Sequence, residues 1–186
     1  MARLSLLKYA SADERSVGTM QWSDLVVKRR SVRKYKDTSV SDDQVVKILD
    51  AARIAPSASN KEPWHFVVVR DPEARRALMV RQPAAAQAPV ILVALGDPDA
   101  SPNWWQNDVG IAFEHVVLAA ADLGLGTCWM GSAYRDAEIK ALLDIPGRFR
   151  VAAISPLGVP DEEPAPRPRK SLDEIASWGK FGGKRG

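Results

Sequence analysis

Two short apolar runs, with helical patterns between and after them, limit the folds that this chain of 186 residues can adopt. Trp64–Arg70 (WHFVVVR) and Pro89–Leu95 (PVILVAL) have the apolar, β-branched composition that is typical of buried strands. Asp108–Leu123 is long and rich in alanine and aliphatic residues, and it stops at Gly124, a residue that favours a helix end. Strands interleaved with helices indicate an α/β or α+β domain of three layers.

Local patterns predict further elements. Ser41 and Gln44 form a capping box at the start of a helix, and Pro56 ends that helix near Ala55 because proline disfavours helical geometry in the residue before it. The remaining predictions are a helix at Asp136–Leu143 and short strands at Thr127–Gly131 and Arg150–Leu157.

The chain shows no repeat, and its organisation looks simple. Residues 1–20 have weak periodicity and are predicted to form an N-terminal arm, and residues 21–186 a single domain that includes a C-terminal arm. The longest apolar run, Ala88–Leu95, is far shorter than the roughly 20 residues of a membrane helix. Met1–Ala10 lacks the apolar stretch of an export signal, and Cys128 has no second cysteine to pair with. We therefore expect a cytoplasmic protein with no membrane partner, no disulfide and no metal site.

The positive charge is concentrated in two places. Lys28–Lys36 holds six basic residues and no acid, and residues 165–186 hold six more against two acids, whereas the rest of the chain is mildly acidic. Two basic patches on an acidic body favour a discrete anionic ligand over uniform polyanion binding. Charge alone does not separate a phosphate-bearing cofactor from nucleic acid, or either of them from two solvated faces.

Two basic segments carry candidate ligand-binding side chains. Arg29, Arg30, Ser31 and Arg33 follow a predicted short helix, and guanidinium groups with a neighbouring hydroxyl are suited to phosphate oxygens. Arg167-Pro168-Arg169-Lys170 is a stiff basic segment near the end of the chain, directly before a second capping box at Ser171–Glu174.

Two segments of small residues carry candidate backbone contacts. Pro56-Ser57-Ala58-Ser59-Asn60 opens a polar loop between a helix and a strand, where small side chains let backbone N–H groups approach a flat ligand. Gly124–Gly131 (GLGTCWMG) ends in a glycine that leaves the backbone of a strand open. Cys128 within it is expected to be a core residue, because no basic or histidine partner is close in sequence.

Taken together, these segments resemble the nitroreductase family of flavin enzymes. RRSVRKY, APSASNKEPWHFVVV, GLGTCWMG and PRPRKSLDEI occur in the family's order between Trp22 and Ile175. The resemblance implies an α+β, three-layer α/β/α fold with a mixed, mostly antiparallel sheet flanked by helices. It also implies bound FMN and a homodimer with each flavin at the subunit interface.

The resemblance assigns roles to individual residues. Arg29, Arg30, Ser31 and Arg33 match the first flavin-binding segment, with Arg33 at the pyrimidine edge of the ring, and Arg167 and Arg169 match a late basic pair that completes a phosphate clamp. Pro56, Ser57, Ala58, Ser59 and Asn60 match the loop that reaches the flavin of the opposite subunit, and Met130 and Gly131 match the backbone that faces flavin N5.

The implied reaction is ping-pong electron transfer. NADH or NADPH reduces the flavin, and a nitroaromatic, a quinone or a similar electron-poor small molecule then takes the electrons, so that no dedicated catalytic acid or base is expected. His65 and His115 are accordingly expected to be structural. Glu62 departs from the family, where many members carry Gln, and Trp104 and Trp105 lie in a region that is shorter than in larger members.

Three alternatives stay open at this point. The first is a non-catalytic protein that stores or senses FMN, and the second is a dehalogenating or flavin-degrading member of the same family. The third is a nucleic-acid-binding module that uses its two basic patches. The last alternative lacks aromatic residues between the basic ones and lacks a recognition helix.

Overall fold

The structure is a computed structural model that describes residues 21–186. The predicted N-terminal arm, residues 1–20, lies outside the described residues, so the division into an arm and a single domain stays a prediction. The helices are α1 (Trp22–Lys28), α2 (Asp42–Arg53), α3 (Pro72–Leu78), α4 (Trp105–Asp122), α5 (Asp136–Leu142) and α6 (Leu172–Ile175). The strands are β1 (Trp64–Val69), β2 (Val90–Gly96), β3 (Gly126–Thr127), β4 (Met130–Gly131) and β5 (Arg150–Gly158).

The strands form one sheet in the order β1-β2-β5-β3, with β4 also paired to β5, and all of these pairs are antiparallel. An isolated parallel bridge between Ser31 and Thr127 extends the sheet beyond β3. The sheet is therefore mixed and mostly antiparallel, as predicted.

The predicted strand Thr127–Gly131 is divided in two. The pairing register is the same on both sides of the gap, since Thr127 lies opposite Leu157 and Met130 lies opposite Ile154. That register sets Cys128 opposite Pro156, which has no N–H to donate to a ladder. The N–H of Cys128 donates to the Ser155 hydroxyl at 3.1 Å, and the ladder is interrupted at this pair.

The two faces of the sheet bury separate clusters of side chains. On β2, Val90, Leu92 and Ala94 pack with α2 and α4, whereas Ile91, Val93 and Leu95 pack with α3 and α5. This alternation is the period-two pattern of a strand that is buried on both faces. The result is the predicted α+β arrangement of three layers, α/β/α.

The ends of two helices position later features. The predicted capping box of α2 is present, with the Gln44 N–H donating to the Ser41 hydroxyl at 3.2 Å. Helix α4 begins at Trp105, three residues earlier than predicted, so Asp108 lies in its first turn. At its end Gly124 has φ +72°, and Leu125 donates back to the Ala120 carbonyl at 2.8 Å, as expected for a glycine helix end. Within residues 21–186, no helix is both long and apolar enough to cross a bilayer.

Candidate cofactor site

The extended segment after α1 is fixed by two later parts of the chain. Val32 donates its N–H to the Thr127 carbonyl at 2.8 Å, and Lys36 donates to the Val159 carbonyl at 2.9 Å. In the opposite direction, Asp161 donates to the Lys34 carbonyl at 2.9 Å. The first basic segment therefore lies against β3 on one side and against residues 159–161 on the other.

Glycine at position 126 permits this close approach. A Cβ added there would lie 2.8 Å from the Cβ of Val32, a distance that real Cβ atoms essentially never show. Gly126 thus contributes to the site by letting the first basic segment lie against the sheet.

Glu162 is a site residue that the sequence analysis missed. Its Oε1 accepts the backbone N–H groups of both Arg33 and Lys34, the latter at 3.1 Å. The carboxylate fixes the direction in which the chain leaves the sheet toward Arg167 and Arg169. A glutamate in the middle of the acidic run Asp161-Glu162-Glu163 gives no local pattern that would have identified this contact.

A cavity of about 510 Å³ joins the two basic segments. We call it the basic cavity, and its lining consists of two valines of α1, three residues of the chain after Glu162, and six of the predicted site residues. These are Val26, Val27, Pro164, Ala165, Pro166, Arg29, Arg30, Ser31, Arg33, Arg167 and Arg169. The structure therefore brings together every basic residue that the sequence analysis assigned to the phosphate.

The arginines of the basic cavity differ in what they already bind. Within residues 21–186, none of the five forms an ion pair with a carboxylate. Arg30 donates to the Arg29 and Val27 carbonyls at the end of α1, and Arg33 donates to the Ser31 carbonyl at 3.3 Å. Helix α1 ends at Lys28, so Arg30 satisfies carbonyls that the helix leaves free.

Cys128 lies behind Ser31 and is 2% exposed. Burial raises the pKa of its thiol, and the nearby Arg33 charge, a hydrogen bond with Ser31 and the Arg29 charge offset part of that rise. A buried thiol with a raised pKa is protonated at neutral pH and is a poor nucleophile. Cys128 is therefore a core residue, as predicted.

The loop Pro56–Asn60 is not among the residues that line the basic cavity. Its Ala58 N–H donates to Asp108 Oδ1 at 2.9 Å, and the N–H of Glu62 donates to the Ser57 hydroxyl at 2.9 Å. Asn60 Nδ2 donates to Glu62 Oε1 at 3.1 Å. The loop is thus anchored to the N-terminal turn of α4 in the same chain.

The same loop has a strained backbone. Ser59, Asn60 and Glu62 have φ of 51°, 54° and 47°, in the left-handed region that non-glycine residues rarely adopt. Such conformations cost about 1–3 kcal/mol each and are common at ligand sites. Of the three, asparagine tolerates this region best because its side chain bonds to nearby backbone.

Met130 and Gly131 form the short strand β4 beside β5. Met130 is half-buried and Gly131 is exposed, and a Cβ added at Gly131 would meet no atom within 4 Å. Trp129 before them is 42% exposed and packs its ring edge-on against buried Phe113, with centroids 4.3 Å apart. The edge of the sheet at β4 is consequently open to a flat ligand.

The histidines and the paired tryptophans lie outside the basic cavity. His115 Nδ1 is 3.0 Å from the Ala51 carbonyl, and the His65 ring packs against Phe149 with centroids 5.4 Å apart. Trp105 packs on the core of the sheet, whereas Trp104 is 56% exposed. Within residues 21–186, no cluster of histidine, cysteine and carboxylate side chains has the arrangement of a metal site.

Comparisons with known proteins identify the family of the chain. The sequence profile described as the Nitroreductase family matches residues 26–79 and 77–159. A protein of Archaeoglobus fulgidus, provisionally named NADH dehydrogenase/NAD(P)H nitroreductase, is 38% identical over 148 residues, covering 75% of this chain and 85% of that protein.

Solved structures share the fold. An FMN-dependent nitroreductase from Clostridium difficile has a TM-score of 0.76 and 32% identity, with 84% of this chain and 98% of that chain covered. The NADPH:FMN oxidoreductase from Vibrio harveyi, complexed with NAD+, has a TM-score of 0.79 and 25% identity, with 88% of this chain and 79% of that chain covered. The chain belongs to the Nitroreductase family, and the predicted resemblance is confirmed.

Proposed function

We propose that this protein is an FMN-dependent oxidoreductase that takes electrons from NADH or NADPH and passes them to an electron-poor small molecule by a ping-pong mechanism. Nitroaromatics and quinones are the proposed acceptors. The proposal extends to a cytoplasmic homodimer that holds FMN at the subunit interface.

The basic cavity is the observation that carries this proposal. Its arginines come from two segments that are more than 130 positions apart in sequence. Within residues 21–186, none of these arginines forms an ion pair with a carboxylate. A phosphate ester carries close to two negative charges and accepts several hydrogen bonds, so it complements three or more convergent guanidinium groups. The residues present therefore fit the phosphate of FMN.

The proposed roles divide between the phosphate and the ring. Arg29, Arg167 and Arg169 would bind the phosphate, with Ser31 donating its hydroxyl. Arg30 would hold the end of α1 in place, and Arg33 would place its charge near the pyrimidine edge of the ring. A cation fixed there in advance stabilises the negative charge of a reduced flavin.

Backbone groups complete the proposed site. The open edge at Met130 and Gly131 would face the ring, and Pro56–Asn60 would reach the flavin of the partner subunit. Neither Pro56–Asn60 nor Met130 and Gly131 line the basic cavity itself. When bound, FMN would supply the redox chemistry, taking electrons from the nicotinamide and passing them to the second substrate.

The names of two structural relatives support the same assignment. The Clostridium difficile protein is described as FMN-dependent, and the Vibrio harveyi protein as an NADPH:FMN oxidoreductase. Both match this chain over more than four-fifths of its length.

An anaerobic absorbance experiment tests the proposal. We expect the purified protein to carry a yellow flavin that is released as FMN on denaturation and that bleaches when NADH or NADPH is added. Addition of a quinone should restore the colour. Bound FMN that neither nucleotide reduces would instead indicate a storage protein, and salt-sensitive DNA or RNA binding without flavin would overturn the proposal.

A further inference from the structure

Asp108 is a buried carboxylate that connects two parts of the molecule. It is 3% exposed in the first turn of α4, and its Oδ1 accepts the Ala58 N–H at 2.9 Å across 50 positions of sequence. Its Oδ2 accepts the Ser101 hydroxyl at 3.0 Å. Both oxygens are therefore engaged, and neither contact is with a cation among the described residues.

A carboxylate in this position is costly to bury. An ionised group without a cationic partner loses its hydration, and here the N-terminus of α4 and two hydrogen bonds offset that loss. Ser101 is seven positions before Asp108, so their bond is a local contact at the start of α4. The bond with Ala58 is different, because it joins the helix to a loop that is distant in sequence.

That loop does not hold its shape through burial. Ser59, Asn60 and Glu62 all have positive φ, and all three side chains are exposed. A strained conformation persists only where fixed contacts impose it. Within the loop, Asn60 donates its N–H to the Ser57 carbonyl and its side-chain amide to Glu62, and the Glu62 N–H donates to the Ser57 hydroxyl. The Ala58–Asp108 bond differs from these because it ties the loop to the helix layer.

We propose that Asp108 is a positioning residue of the cofactor site, which through the Ala58 amide holds residues 57–62 in the shape that presents them to the flavin of the partner subunit. This inference rests on the proposed FMN-binding function. It adds a residue that lies outside the basic cavity and that would touch neither FMN nor substrate.

Variants of Asp108 separate positioning from general stability. Asp108→Ala removes both acceptors, whereas in Asp108→Asn the amide oxygen still accepts from Ala58 and the amide nitrogen can donate to the Ser101 hydroxyl. Asp136 offers a matched control, since it also opens a helix and accepts a distant backbone N–H, that of Val151 at 2.7 Å. Asp136→Ala should therefore cost stability without moving the loop.

A second variant removes the bond from the loop side. Ala58 is the first residue of a 3-10 turn, where proline fits, and Ser57 before it is already extended at φ −140° and ψ 160°. Ala58→Pro deletes the donated hydrogen and leaves α4 unchanged. It keeps the inference testable even if Asp108→Ala does not fold.

The measurement is the Kd of FMN, from quenching of flavin fluorescence by the full-length protein, together with the thermal midpoint of each variant. We expect Asp108→Ala and Ala58→Pro to weaken FMN binding by about tenfold or more, Asp108→Asn by less than about threefold, and Asp136→Ala to lower the midpoint at unchanged Kd. Unchanged FMN affinity in folded Asp108→Ala or in Ala58→Pro, or an equal loss in Asp136→Ala, would overturn the inference. Failure of the wild-type protein to bind FMN would overturn the proposed function itself.

Discussion

Glu162 Oε1 accepts the backbone N–H of Lys34 at 3.1 Å, and this bond spans 128 positions of the sequence. The same oxygen accepts the N–H of Arg33. A carboxylate thus lies beside the basic cavity, and it bonds to the backbone rather than to the guanidinium groups. It acts as a structural link between the two basic segments.

Two substitutions at Glu162 should differ in their effect on FMN affinity. Glu162→Ala removes the link, so Arg167 and Arg169 lose their fixed path and FMN should bind about tenfold more weakly. Glu162→Gln keeps an acceptor oxygen and removes a negative charge, so affinity should equal or exceed that of the wild type. Titration of each variant with FMN measures both effects, and tight binding by Glu162→Ala would argue against the link.

Loss of two arginines should leave a folded but nearly colourless protein. Hydrogen bonds to charged groups are worth about 1.5–3 kcal/mol each, so Arg29→Ala with Arg169→Ala should weaken FMN binding by more than about 100-fold. The measurement is the ratio of flavin to protein absorbance after purification, with circular dichroism as the check on folding. Arg53→Ala with Arg148→Ala, two exposed arginines away from the basic cavity, is the control. Full FMN occupancy in the first variant would contradict the clamp.

Gly131→Val tests the open edge at β4. No atom lies within 4 Å of a Cβ at this position, so the substitution should change the thermal midpoint little. The added side chain should keep the flavin ring from the backbone and slow its reduction by NADH or NADPH by about tenfold or more. Stopped-flow reduction under anaerobic conditions measures the rate, with Ala133→Val at a nearby exposed position as the control. Wild-type reduction kinetics in Gly131→Val would refute the placement of the ring.

Gly96→Ala tests the packing of α4 on the sheet. A Cβ at Gly96 would overlap the Trp105 indole and press on Val109 at the start of α4. Overpacking of this kind costs about 1–3 kcal/mol, measured as a lower free energy of unfolding in urea. Gly110→Ala is the matched control, because its Cβ would meet open space in the same helix and should stabilise the protein by up to about 1 kcal/mol. Equal stability of the two variants would show that Trp105 does not pack as described.

The elements with local patterns could be predicted from the sequence. The strands around Val67 and Leu92, the capping box at Ser41 and the glycine end of α4 all depend on residues within a few positions of one another. The basic side chains of the cavity were also identified, because two separated charge clusters and four ordered motifs point to them. The family resemblance then indicated that these side chains share one site.

The contacts that give the site its shape could not be predicted. Glu162 and Asp108 each bond to backbone N–H groups at least 50 positions away, and no local pattern marks a carboxylate for such a partner. The gap in the strand at Cys128 involves a bond to the Ser155 hydroxyl of β5, a residue 27 positions away. At the early start of α4, the Trp105 indole packs against Gly96, again a contact between distant residues.

In the proposed FMN site, the basic cavity of one subunit combines with the loop Pro56–Asn60 of the other. Mixed dimers test this arrangement when they pair a subunit carrying Arg29→Ala and Arg169→Ala with a subunit carrying Ala58→Pro and Asn60→Ala. Two different affinity tags isolate the mixed species, and each parent dimer serves as a control that should bind little FMN.

The decisive measurement is the number of FMN molecules bound per mixed dimer. If the loop acts across the interface, the mixed dimer has one intact site and one doubly defective site, and one FMN per dimer is expected. If the loop acts within its own subunit, both sites are defective, and a mixed dimer without FMN would contradict the account.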